Sequence, residues 1–333
     1  MATQLAILPI SENSSASYHL IFYITGNPGM ISYYDTFLAT LHQLVSESSS
    51  KHESEVLHVF GQSLKGFEDN NGPVPATGVP YSLEDQIQSR IKLLEGQRIP
   101  AGPRQGEHYD TITLMGHSVG TYIVLEVLQR LRKLASPLNI RGGVLLMPTI
   151  VGIAESPSGV IAAPLLTCVP GLPRGLQLLA KTAFWPLSTG VLQWLVGKVL
   201  GMPEDAAKTT TRFLRSNMGV WQALHMARDE MKEITVDKWD DEIWGLEKEI
   251  AENKTRIPKL YLYFAETDHW VADHSRDSLI AARGRLPGDD SSSKPVMVVD
   301  ENGISHAFCI SHSEMMAEKV VPWIEEILAA WRK

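Results

Sequence analysis

Five residues, Gly116-His117-Ser118-Val119-Gly120, stand between a short run of β-formers at 111–115 and a helix-periodic run at 121–132. A serine with glycines two residues before and after it, placed there, predicts a strand, a sharp turn and a helix. The glycines fit the strained turn, and the serine hydroxyl is left exposed at its tip. The pentapeptide alone arises by chance in many chains; the flanking strand and helix make it specific.

The rest of the sequence supplies the alternation that such a turn requires. Residues 19–24, 55–60 and 111–115 are β-rich runs that each end at a glycine-containing turn, and 141–147 reads as a further buried strand. Between the second and third, residues 82–95 open on Ser82 as an N-cap and place Leu83, Ile87, Ile91 and Leu94 on one face of a helix. The alternation resumes with a strand at 259–264, a helix at 273–283, a strand at 295–299 and a final helix at 313–331. The expectation is therefore an α/β fold with a mostly parallel sheet and helices on both faces. Residues 1–150 and 257–333 form its core, and 151–256 form an inserted helical lid.

Composition removes several classes. With 30 Lys and Arg against 38 Asp and Glu, the net charge is −8, so no global positive field exists to hold a nucleic acid. The two cysteines, Cys168 and Cys309, are far apart and lack metal-ligand spacing, which suggests neither a disulfide framework nor a structural zinc, and a reducing compartment. No Lys or Arg precedes Lys51, so the positive flank of a targeting segment is missing and synthesis in the cytosol without export is expected.

A serine hydroxyl in such a turn needs a base, and the base needs an orienting acid. The chain order for this arrangement is nucleophile, acid, histidine, each on a loop after a core strand. Ser118 is the nucleophile. Asp268, on the loop after the 259–264 strand, is preferred as the acid over Asp273 and Asp277, which fall at the start of and inside the next helix. His306 lies on the loop after the 295–299 strand and is the expected base. His269 and His274 follow the wrong strand, His312 sits at the edge of the last helix, and His117 would point away from the serine. The oxyanion needs two backbone N–H donors: Val119 supplies the first. In Gly26-Asn27-Pro28-Gly29, after the 19–24 strand, Pro28 has no N–H, leaving Asn27 as the second.

These residues, taken with several flanking motifs, resemble the lipid droplet-associated serine hydrolase family, a branch of the α/β-hydrolase superfamily. The resemblance runs nearly end to end. It rests on Gly26 to Gly29 followed by Tyr33, Tyr34 and Phe37, on the Leu-Glu-Asp-Gln-Ile helix, and on the Ser118 pentapeptide with Tyr122. It also rests on Met147-Pro-Thr-Ile150 followed by Glu155-Ser-Pro-Ser-Gly159, the most specific pair, and on His306-Ala-Phe308. It implies an α/β-hydrolase fold, a triad on Ser118, Asp268 and His306, ester-bond activity toward sterol esters or acylglycerols, and association with lipid droplets. No metal or organic cofactor is implied.

The segment after Pro157 matches no further motif, and residues 156–203 are compositionally unlike their flanks. Arg174, Lys181 and Lys198 are their only charges, whereas 204–256 carry 21 charges in 53 residues. Four prolines within 156–173 rule out one straight membrane-spanning helix. From Ser188 as an N-cap, Leu192, Leu195, Val196 and Val199 make a helical stripe near Trp185 and Trp194. Such a segment fits two roles: an interfacial element entering a droplet monolayer or an ER membrane surface, or a lid over an acyl pocket. The expected function is hydrolysis of lipid carboxylic esters at droplets, with a cytosolic or ER-associated pool. Two rivals remain: a droplet-binding storage protein with little hydrolase activity, and a soluble esterase or acyl-transferring enzyme of specialised metabolism.

Overall fold

The computed structural model describes residues 3–48, 54–67, 78–245, 258–285, 288 and 293–332. Among these residues, seven strands form one sheet in the order β1-β3-β2-β4-β5-β6-β7: β1 (Gln4–Ile7), β2 (Ser17–Ile24), β3 (Glu55–Gln62), β4 (Thr111–His117), β5 (Ile140–Leu146), β6 (Lys259–Phe264) and β7 (Val296–Val299). Only β1 is antiparallel, on β3; every other pair is parallel. A parallel sheet must be covered on both faces, and its strands alternate which face each side chain enters. In β2, Leu20, Phe22 and Ile24 pack with the helices α2 (Leu83–Glu95) and α3 (Val119–Lys133), whereas Ile21 and Tyr23 pack with α1 (Asp35–Ser48) and the C-terminal α11 (Ser313–Arg332). The chain is an α/β-hydrolase fold.

Local sequence explains the helix starts. Ser82 accepts from the Asp85 amide while the Asp85 carboxylate accepts from the Ser82 amide, a reciprocal cap that stabilises α2 by about 1 kcal/mol. Among the described residues, five α-helices run between β5 and β6: α4 (Pro157–Cys168), α5 (Leu172–Phe184), α6 (Thr189–Val199), α7 (Glu204–Arg215) and α8 (Gly219–Glu233). Ser156 opens α4: its hydroxyl accepts from the Gly159 amide and donates to the Ile153 carbonyl. A Cβ at Gly159 would lie 2.0 Å from that same carbonyl. This contact gives Ser-Pro-Ser-Gly its physical meaning, because only glycine permits the approach. α9 (Asp273–Arg283) follows β6, and a single turn, α10 (Phe308–Ser311), precedes α11.

The expected 188–199 helix forms, capped by Ser188, but its stripe divides. Leu192 and Val196 pack inward on Ala207, whereas Val199 and Trp194 are exposed. Among the described residues no single helix is long and apolar enough to cross a membrane; α4 and α5 together would pass by length and composition but are bent by 99°. The expected lid boundary near 256 lies outside the described residues.

Candidate active site

Ser118 terminates β4 and begins α3 with φ 52° and ψ −127°, a left-handed conformation uncommon for a residue with a side chain. Its neighbours make that turn possible. A Cβ on Gly116 would lie 2.5 Å from the Gly120 carbonyl oxygen, and one on Gly120 would lie 2.4 Å from that of Ile24. The turn is then pinned: the Ser118 amide donates to the Leu146 carbonyl at 3.0 Å, and the Thr121 hydroxyl donates to the Ser118 carbonyl at 2.6 Å.

Two further loops converge on it. After β6, Asp268 is buried, and its Oδ1 accepts from the Trp270 amide at 2.7 Å. After β7, Asp300 shapes the loop that carries His306: its carboxylate accepts from the amides of Asn302 and Ile304 and from the Tyr263 hydroxyl. His306 is thereby brought between the other two, with Nδ1 at 2.7 Å from Asp268 Oδ2 and Nε2 at 3.0 Å from Ser118 Oγ. A carboxylate can only accept, so Nδ1 carries the proton and Nε2 offers its lone pair to the serine O–H. The arrangement can draw a proton from Ser118 as the oxygen attacks an electrophile.

The alternatives lie elsewhere. Asp273 and Asp277 both pair with Arg276, and His274 pairs with Glu155 at the surface. His269 gives its carbonyl to the Ser158 amide, tying α4 to the Asp268 loop. His117 has its ring nitrogens on the Tyr34 hydroxyl and the His306 carbonyl.

The loop at 25–29 packs directly on the serine: a Cβ on Gly26 would lie 3.1 Å from Ser118 Cβ. Among the described residues neither the Asn27 nor the Val119 amide donates to a protein acceptor, so both remain available to a ligand oxygen. The Asn27 side chain reaches the other way. Its Nδ2 donates to the Ala223 carbonyl and to Glu230 Oε1 on α8, both at 2.9 Å. Sequence reasoning missed this tie, since nothing distinguishes Glu230 from the other charges of its segment.

Burial pushes the Glu230 carboxyl up to about 8, with a smaller contribution from Asp229. It is therefore held mainly protonated at neutral pH. A carboxyl whose folded pKa is raised contributes stability that is fully present below its unfolded value of 4.5 and lost as pH rises through about 8. Glu230→Gln keeps the acceptor for Asn27 without the ionisation. It is expected to be more stable than wild type at pH 8 by on the order of 1–3 kcal/mol, and nearly equal at pH 5. Urea unfolding at the two pH values checks this; the same difference at both would refute it.

The chain matches the family described as "Lipid-droplet associated hydrolase" over residues 17–309. It is similar to the lipid droplet-associated hydrolase of Rattus norvegicus, 28% identical over 321 residues covering 95% of this chain and 88% of that protein. The Drosophila melanogaster protein of the same name is 24% identical over 330 residues, covering 95% and 92%. Among solved structures, it resembles the peroxisomal alpha-beta-hydrolase Lpx1 from Saccharomyces cerevisiae, with TM-score 0.59 at 12% identity, covering 96% and 79%. It also resembles the juvenile hormone epoxide hydrolase of Bombyx mori, with TM-score 0.55 at 15% identity, covering 98% and 73%. These likenesses share the fold, and the match over most of its length makes the chain a hydrolase that belongs to the lipid droplet-associated hydrolase family.

Proposed function

We propose that this protein is a serine esterase that cleaves carboxylic esters of lipids, sterol esters or acylglycerols, at the surface of lipid droplets. The continuous hydrogen-bonded chain from Ser118 through His306 to Asp268 carries the reading. Ser118 Oγ attacks the ester carbonyl carbon while His306 Nε2 takes its proton. Asp268 holds the imidazole in the tautomer that can accept it and stabilises the imidazolium formed. The carbonyl oxygen becomes an oxyanion facing the Asn27 and Val119 amides. The C–O bond breaks as His306 returns the proton to the leaving alkoxide. Water, deprotonated by the same imidazole, then releases the acyl group and regenerates the serine. A fluorophosphonate probe followed by a panel of emulsified lipid esters tests the nucleophile and the substrate class together. Labelling without turnover of any lipid ester would turn the reading toward a small-molecule esterase or an acyl-transferring enzyme.

The droplet surface is supported by where apolar side chains are left exposed. Of the eighteen large ones exposed among the described residues, twelve fall between 160 and 200, on α4 to α6 and their connections. Trp185 and Trp194 lie among them, and Arg174, Lys181 and Lys198 are the only charges of that stretch. A patch of this kind, apolar outward and faintly basic, suits insertion into a phospholipid monolayer. The same helices bury Leu166, Ala180 and Leu192 inward, which fits a lid as well as an anchor. Asp at Val191, Trp194 and Val199, all outward-facing, is expected to move most of the protein from floated droplets to the soluble fraction. Each charge costs about 2.5–3.5 kcal/mol in a hydrocarbon environment. Unchanged flotation of the substituted protein would remove this patch as the contact, and wild type found wholly soluble would remove the droplet surface as a partner.

A further inference from the structure

We infer that Tyr34 and His117 are positioning residues that lock the oxyanion loop and the loop of the base into one register. The inference rests on the serine esterase reading of Ser118. The two side chains are buried. The Tyr34 hydroxyl accepts from the Gly26 amide at 3.1 Å and lies 2.7 Å from His117 Nδ1. His117 Nε2 lies 2.8 Å from the backbone carbonyl oxygen of His306.

The direction of every bond in this chain follows from one acceptor. A carbonyl oxygen cannot donate, so His117 Nε2 must carry the proton. Nδ1 is then the lone-pair nitrogen, and the single proton of Tyr34 must go to it. With its proton committed, the Tyr34 oxygen is free to accept from Gly26, as observed. Burial, reinforced by the neighbouring His306, pushes His117 down to about 3, so the imidazole stays neutral and the lone pair persists. The result is a path from Gly26 N–H, through tyrosine and imidazole, to the main chain of the base, with the Cys309 thiol as a side contact of the Tyr34 hydroxyl.

Its two ends are the two parts that must agree within a fraction of an ångström during the reaction. Gly26 immediately precedes Asn27, whose amide faces the oxyanion, and His306 must keep Nε2 on the serine. Packing alone does not set this register. His117 touches the rings of His306 and Phe308 at centroid distances of 5.2 and 4.9 Å, contacts that tolerate sliding, whereas the hydrogen bonds fix direction. The histidine in the pentapeptide thus has a use that its position beside the nucleophile does not reveal.

Three variants test the path: Tyr34→Phe, which removes one hydroxyl and keeps the ring; His117→Gln, whose Nε2 can still donate to the His306 carbonyl; and His117→Phe, which cannot. Rates are measured on p-nitrophenyl butyrate per site titrated with fluorophosphonate, so that loss of folded protein is divided out. Tyr34→Phe and His117→Phe are expected to lower kcat by about 10- to 100-fold, with KM changed by less than about threefold. His117→Gln should recover most of the rate lost in His117→Phe. A purely structural role would lower the number of titrated sites or the melting temperature while leaving kcat per site intact, and that outcome overturns the inference. So does equal kcat in His117→Gln and His117→Phe. If wild type itself takes no label, the esterase reading falls and the inference with it. Labelling of wild type with an unaltered Tyr34→Phe rate overturns the inference alone.

Discussion

Ser118→Ala is expected to abolish labelling by fluorophosphonate and to lower ester hydrolysis by on the order of a thousandfold or more, while leaving the fold intact. The serine Oγ hydrogen-bonds to His306 Nε2 at 3.0 Å, and the turn that presents it is held by main-chain groups and by Thr121. Removing one oxygen therefore removes the nucleophile and little else. Alanine meets the positive φ no worse than serine does, so unfolding should not mimic the loss. The size of the effect comes from the serine and its base acting as a unit: without Oγ, His306 has no proton to take, and only binding and the oxyanion donors remain. A folded variant that still labels would show that another nucleophile is at work. The experiment also addresses the storage-protein alternative, which expects the wild type to take no label despite a formed site.

Much of this site is written locally. The Ser118 turn needs only a strand, two glycines and a helix start, and all are contiguous in sequence; β6 and α9 lie where alternation and punctuation place them, at Lys259–Phe264 and Asp273–Arg283. What local pattern does not carry falls into three kinds. β1 is a four-residue edge strand with half-exposed side chains, too short and too mixed for a periodic signal. In α4 apolar residues occur on every side, so neither its limits nor its buried face can be read from spacing; Gly159 and Leu166 are buried while Ile161 and Leu165 are exposed. α1, by contrast, has a readable spacing at Phe37, Leu38, Leu41 and Val45 but forms no part of the sequence expectation. The third kind is contact between distant residues. Asn27 meets Glu230 across 203 positions, and His117 meets His306 across 189. Such pairs exist only once the sheet order brings the ends of β2, β4 and β7 to one edge and lays α8 over them. Periodicity can announce a nucleophile, an acid and a base; the side chains that hold their loops in register belong to the tertiary fold.

Asp268→Asn is expected to cost up to about ten-thousandfold in kcat, whereas Asp273→Asn should leave most of the rate. The difference follows from what each carboxylate touches. Asp268 Oδ2 lies 2.7 Å from His306 Nδ1, and Oδ1 is held by the Trp270 amide at 2.7 Å, so the oxygen facing the histidine is fixed in identity. In the asparagine variant the oxygen can stay on the Trp270 amide only by turning the NH2 toward His306. That donor demands a lone pair on Nδ1, which moves the imidazole proton to Nε2, where it faces Ser118 and can no longer accept the serine proton. Geometry would be preserved and chemistry lost. Asp273 stands at the start of α9 beside Arg276, largely exposed, and has no route to His306. His306→Ala should match the asparagine variant or exceed it, and His312→Ala should not, because His312 caps α10 and does not reach the serine. Measuring kcat for the four variants, with labelling rates beside them, separates the assignments. A near-full rate in Asp268→Asn together with a collapse in Asp273→Asn would transfer the acid's role, and damage from His312→Ala equal to that from His306→Ala would transfer the base's.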